Sequence, residues 1–144
     1  MPRRLTQFAV RLLDGAAHLA LGPSTEARHL RTGRSGEEEA YFYLRRLGYV
    51  IVARNWRSPH KSGEIDLIGW DGETLCFIEV KSRTTSDVKP AEAAVDDAKR
   101  EEIKLVARDY LRRLPEQPAI RFDVVSIYWE NKRTAPTLFK GAFS

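Results

Sequence analysis

One cysteine, Cys76, stands in the whole chain, and no run of the sequence approaches eighteen apolar residues. The lone cysteine excludes an intrachain disulfide framework and a cysteine-built zinc site. Its apolar neighbours mark it as a small buried hydrophobe. The missing apolar run excludes a membrane-spanning helix. No internal repeat or low-complexity segment is found. Arg3-Arg4 and the apolar residues behind them mimic a signal peptide, but Arg11 and Asp14 interrupt its apolar centre and no convincing cleavage site follows. The protein is therefore expected in the cytoplasm, with no membrane partner. What remains is a chain of 144 residues, the size of one ordinary domain, with 42% hydrophobic residues to build a core. Lys and Arg number 24 against 20 acids, a net charge of +4 and a pI of about 9.4, which is compatible with a polyanionic partner.

Residues 1–32 are read as an extension to a domain spanning 33–144. Leu5, Phe8, Ala9, Leu12, Leu13, Ala16, Leu19 and Ala20 recur at helical spacing until Gly22-Pro23-Ser24. Thr32-Gly33-Arg34-Ser35 predicts a loop and N-cap, followed by a helix from Gly36 to Leu47 that Gly48 ends. Its apolar stripe is Ala40, Tyr41, Leu44 and Leu47. Glu37 falls in the middle of that stripe, whereas Glu38 and Glu39 fall off it and suit a first helical turn. Tyr49 to Arg57 predicts a strand. Arg54 and Arg57, flanking Asn55-Trp56, suit a nucleic-acid backbone, because the guanidinium forks onto phosphate and an aromatic ring can stack. On composition alone, a core Trp56 between solvated arginines is the favoured reading. The loop after it carries His60.

Two apolar runs then flank Asp71-Gly72, a hairpin signal. With these two residues as the turn, Ile68 opposes Leu75, Asp66 opposes Phe77 and Glu64 opposes Glu79. Opposed residues share a face, as do residues two apart. Glu64, Asp66, Glu79 and Lys81 therefore share one face with Ile68, Leu75 and Phe77. Ile65, Leu67, Cys76, Ile78 and Val80 take the other. Three carboxylates embedded in apolar surface repel one another and need a partner. A divalent cation resolves the conflict, since hard cations such as Mg²⁺ take oxygen ligands. Lys81, about 6–7 Å along the strand from Glu79, could touch the same ligand. The plainer alternative is a surface charge ladder with Lys81 paired to Glu79.

Ser82 to Pro90 reads as a polar loop holding Arg83 and Lys89. A long helix is predicted from Ala91 to Leu114, with Val95, Ile103, Val106, Tyr110 and Leu114 as its stripe and Lys99 inside it. Lys99 either snorkels or supplies a second cation to the site. Ala119 to Trp129 predicts a strand returning parallel to the sheet, and Thr137 to Phe143 a short strand or docking tail.

Asp66 followed by Glu79-Val80-Lys81 on the next strand resembles the PD-(D/E)-x-K nuclease signature. An ordered set of segments extends the match: Gly33-x-x-Gly36-Glu37-x-x-Ala40, Arg54-Asn55-Trp56-Arg57, Gly63 to Ile68, Phe77 to Lys81 with Arg83, Ala94-Val95 with Lys99, Arg121 to Val125, and Ala142-Phe143. Together they resemble the YraN-type family of predicted endonucleases, distant relatives of archaeal Holliday-junction resolvases. The resemblance implies an α/β restriction-endonuclease-like fold: an αβββαβ core with a mixed central sheet flanked by helices. It implies metal-dependent hydrolysis of DNA phosphodiester bonds, with branched or single-stranded DNA as candidate substrates. Asp66, Glu79 and the Val80 carbonyl would then ligate Mg²⁺ or Mn²⁺. Glu37 would complete the site, Lys81 would orient the attacking water, and Glu64 and Lys99 would support it. Arg54, Arg57, Arg83 and Lys99 would contact nucleic acid. Resolvases of this fold act as dimers, so the analogy extends to a homodimer. Two readings from other classes stand beside this one. One is a non-catalytic nucleic-acid-binding module on the same fold; the other is an interaction protein recruited through its N-terminus.

Overall fold

The computed structural model of the protein describes residues 28–84, 95–131 and 133–144. Helix α1 (Arg28–Arg46) leads into strands β1 (Val50–Arg57), β2 (Glu64–Asp71) and β3 (Thr74–Thr84); helix α2 (Asp97–Leu111) then leads into β4 (Ala119–Glu130) and β5 (Arg133–Phe143). The five strands lie in the sheet in chain order. All neighbours are antiparallel except β3 and β4, which run parallel on either side of the α2 crossover. The expected αβββαβ core is present in a mixed sheet, and the predicted tail is a full strand on its edge.

Alternation along the strands divides the core into two layers. Leu67, Cys76, Ile78, Val125 and Ile127 pack with Ala40, Tyr41 and Leu44 of α1. Ile68, Leu75, Phe77, Phe122 and Val124 pack with Ile103, Val106 and Ala107 of α2. The predicted faces hold with one exception: Ile65 joins the α2 layer. Cys76 is buried, and burial followed by the nearby Asp123 charge pushes its thiol up to about 12.

Local chemistry explains the element ends. α1 closes in a Schellman turn, with the Tyr49 amide donating to the Leu44 carbonyl and the Gly48 amide to that of Arg45. Gly48 supplies the left-handed φ of 94° that this turn demands. Leu47, predicted in the stripe, lies in the turn beyond the last helical residue and is exposed. The expected loop at 32–35 is helical instead, so Glu37, Glu38 and Glu39 lie well inside α1 and no acid stands in its first turn. At α2 the Asp96 carboxylate caps the helix by accepting from the Lys99 amide. Val95 is buried but precedes the helix. The predicted start of α2 at 91–94, Lys89 and the N-terminal pattern over 1–27 lie outside the described residues.

The β2–β3 turn differs from the prediction. Asp71 pairs with Thr74 and Ile68 with Phe77, which leaves Gly72-Glu73 as the loop. Of those two, only Gly72 has positive φ, the arrangement of a type II′ rather than a type I′ turn. Asp71 is kept in the strand because Arg121 and Lys140 both bond its carboxylate, at 2.8 and 2.9 Å. The register moves by two residues, which preserves parity along the paired part of the hairpin.

Candidate metal centre

The acidic residues converge where β2 and β3 part. Their ladder runs from Asp71 and Thr74 to Leu67 and Ile78. Beyond it, the Val80 amide donates to the Asp66 carboxylate at 2.8 Å. A side chain thus takes a place that a strand backbone would fill, and Asp66 is brought beside Glu79. Arg57 pairs directly with Glu64 across β1 and β2, with a 2.8 Å ion pair between their side chains. From the α1 side, Glu37 reaches the same place. Its neighbour Gly36 lies so close to Ser82 of β3 that a β-carbon there would collide with the serine side chain. Oxygens of Glu37, Glu64 and Asp66 all lie within 4.8 Å of one another.

Asn55 completes this frame, and its part was not foreseen in the sequence. Its amide Nδ2 donates to Glu37 Oε2 at 3.0 Å. It sits in β1 with a φ of 48°, a left-handed conformation that asparagine tolerates better than most residues. A strand-depleted residue inside a strand pattern was the available signal.

Glu79 is 5% exposed, and its Oε2 is buried without a hydrogen-bond partner. Its other oxygen lies 3.3 Å from Lys81 Nζ. Burial, and then the charge of Glu79, push the Asp66 carboxyl well above the usual carboxylate range; the Val80 amide pulls the other way and Glu64 adds to the rise. The α2 side contributes Lys99, whose Nζ bonds Glu102 at 2.8 Å. Burial alone would lower its pKa. The Glu102 hydrogen bond and the charges of Glu79, Glu102 and Asp66 outweigh that and raise it. Gly63, before β2, leaves no room for a β-carbon against Glu102.

The donor set suits a hard divalent cation. The candidate side-chain ligands are all carboxylates, one buried carboxylate oxygen lacks a donor, and the charges of Asp66 and Glu79 oppose each other. Among the predicted site residues, Glu37, Glu64, Asp66, Glu79, Lys81 and Lys99 gather here. Val80 takes part through its amide. The predicted nucleic-acid contacts separate. Arg57 is exposed beside Glu64, and the Arg54 guanidinium lies 4.5 Å above the Tyr41 ring. Arg83, by contrast, is buried. Trp56 packs edge-on against Tyr110, so its ring serves the core. A cavity of about 590 Å³, lined by Tyr128, Glu130, Asn131, Arg133, Thr134 and Ala135, contains none of these groups.

The profile of the uncharacterised protein family UPF0102 matches residues 36–127. A UPF0102 protein of Koribacter versatilis is 53% identical over 141 residues, covering 98% of this chain and 96% of its own. That alignment takes in most of the N-terminal extension as well. A UPF0102 protein of Solibacter usitatus is 50% identical over 96 residues, 66% of this chain and 73% of its own. One from Herminiimonas arsenicoxydans is 41% identical over 95 residues, 66% and 75% of the two chains. The chain belongs to the uncharacterised protein family UPF0102.

Proposed function

We propose that this protein is a metal-dependent endonuclease of the PD-(D/E)-x-K type that hydrolyses DNA phosphodiester bonds, with branched or single-stranded DNA as its candidate substrates. The observation that carries the reading is the meeting of Glu37 from α1 with Glu64 and Asp66 from β2, beside a buried Glu79 that has one oxygen without a donor and the other against Lys81. Such a grouping costs stability, and a fold retains it when a ligand or a reaction offsets the cost.

Asp66 and Glu79 would hold Mg²⁺ or Mn²⁺, with Glu37 and Glu64 closing the shell. When bound, the ion would supply Lewis-acid stabilisation of the phosphate's developing charge and activation of water. The chain's own residues do the positioning. Asn55 holds the Glu37 carboxylate in place. Lys81, fixed against Glu79, orients the attacking water toward phosphorus. Lys99 offers a second positive charge for a phosphate oxygen or its neighbour. In the reaction one water is consumed: its oxygen bonds to phosphorus, the bond from phosphorus to one sugar oxygen breaks, and that oxygen leaves with a proton. Arg54 and Arg57 at the end of β1 would contact the backbone, where they position DNA without reading its sequence.

The test is cleavage of labelled single-stranded, duplex, flap and four-way-junction DNA in Mg²⁺, Mn²⁺ or EDTA. The parent is compared with Asp66→Ala and Lys81→Ala. Cleavage that requires the metal and both side chains is expected. DNA binding without cleavage, unaltered by either substitution, would leave a binding module instead.

A further inference from the structure

Basic residues gather beyond Arg57, on a loop and a helix end that the chemistry above does not use. The Ser58 hydroxyl bonds the Asp109 carboxylate, and the amides of His60 and Lys61 both donate to Ser58 Oγ at 3.0 Å. The 58–61 loop is thereby fixed to the C-terminal end of α2. Trp56 reinforces the junction: Tyr110 meets its ring edge-on at 5.3 Å, and the Arg113 guanidinium lies over it at 5.2 Å. On this surface the contacts bring Arg57 of β1 and His60 and Lys61 of the loop beside Arg112 and Arg113 at the helix end, with Arg108 one turn earlier on α2.

Few acids answer these cations. Arg57 pairs with Glu64 and Arg112 with Asp109, yet their side chains remain 78% and 73% exposed, with further N–H groups facing water. Among the described residues, no ion pair holds Lys61, Arg108 or Arg113. Compensation of the helix dipole would account for Arg108 and its neighbours on α2. It does not account for Lys61 on a loop or Arg57 on a strand.

We infer that this surface binds the phosphate backbone of a duplex arm of the substrate, beyond the bond that is cut. The inference rests on the hydrolytic reading for its substrate. Fixed, exposed guanidinium groups spaced over a surface suit phosphates, whose contacts hold a duplex in register without reading its bases. Position agrees. α2 carries Lys99 at the acidic site and reaches Arg112 at the far end, about 20 Å away at 1.5 Å per residue. That span matches roughly six base pairs at 3.4 Å each.

The experiment is fluorescence anisotropy on the full chain in EDTA, where no cleavage intervenes. A labelled duplex of about 20 base pairs is titrated across a salt series. The variants are Arg112→Gln with Arg113→Gln, and separately Lys61→Gln, whose exposed loop position leaves the core untouched. The double variant is expected to bind the duplex roughly tenfold or more weakly and to lower the log–log salt slope by about 2; Lys61→Gln lowers it by about 1. Unchanged affinity and slope in both variants would overturn the inference, as would a parent that ignores duplex but binds phosphatidylglycerol vesicles. The two readings fail separately. Loss of binding in these variants, with no cleavage by the parent, ends the hydrolytic reading and leaves this surface standing.

Discussion

Glu79 is the residue at which stability and function oppose each other most directly. Its carboxylate is buried beside Asp66, and one of its oxygens lacks a donor. In metal-free protein, Glu79→Gln removes a buried charge and supplies an amide. It is expected to raise stability by about 1 kcal/mol, roughly 2–4 °C in melting temperature for a chain of this size, while abolishing cleavage. A lower metal-free melting temperature would show that Glu79 is already satisfied by its neighbours. Asn55 gives a second test. It combines a hydrogen bond to Glu37 with a φ of 48°. Both Asn55→Gly and Asn55→Ala lose the amide, but glycine also relieves the left-handed backbone, whereas alanine keeps a β-carbon there without asparagine's tolerance of it. The alanine variant should be the less stable by about 1 kcal/mol in urea unfolding. The reverse order would mean that the backbone conformation carries no cost.

At the scale of elements, the chain's punctuation governs the architecture. Nothing lies within 4 Å of a β-carbon built on Gly48, so Gly48→Ala should cost about 1 kcal/mol through its positive φ alone, measured by denaturant unfolding. The β2–β3 hairpin depends on Asp71, whose carboxyl is held below the usual carboxylate range, chiefly by its hydrogen bond to Lys140 and also by Arg121. A lowered folded-state pKa stabilises above the ordinary value of about 4, and the gain is lost as pH falls through the lowered value. The melting temperature of the parent should therefore drop more steeply than that of Asp71→Asn between about pH 5 and about pH 2. Parallel curves would contradict the role assigned to Asp71.

This hairpin also shows what was legible in the sequence. Parity was, because alternation is local: Asp66, Glu79 and Lys81 had to share a face whichever two residues made the turn. The turn itself was not. Asp71-Gly72 satisfies the local rule, but Arg121 and Lys140, far along the chain, claim Asp71 for the strand. The same distinction covers the other departures. The α1 stripe was local, and Ala40, Tyr41 and Leu44 are buried as expected. Ile65 turned to the α2 layer where β2 leaves β3, and Trp56 became a platform for Tyr110 and Arg113. Both depend on which element lies opposite, which no short-range pattern encodes. The helix beginning at Arg28 replaced a loop inferred from Gly33 and Ser35.

Across the whole molecule, the sheet has one stapled end and one costly end. At the stapled end, Asp123 is fully buried and accepts from Tyr49, Arg121 and the Gly141 amide, tying the entry to β1 to β4 and β5 while Arg121 reaches on to Asp71 of β2. The Arg121-Phe122-Asp123-Val124-Val125 segment, part of the family pattern, is therefore structural. Asp123→Ala should cost about 3 kcal/mol or more, because the Tyr49 hydroxyl and the Gly141 amide would lose their acceptor and Arg121 one of its two carboxylates. The acidic site lies at the other end, where β2 and β3 separate and like charges crowd. No helix of the described residues is long and apolar enough to cross a membrane. Rigid support at one end of a sheet suits a strained constellation at the other.

The central claim is that this crowded end holds a divalent cation. Its most direct test is an electron paramagnetic resonance titration of free Mn²⁺ with the full-length parent, Asp66→Ala and Glu79→Gln. The account predicts that the parent depletes the free-ion signal and that both variants leave most of it. Mn²⁺ left free by the parent, or bound equally well by the variants, would contradict it.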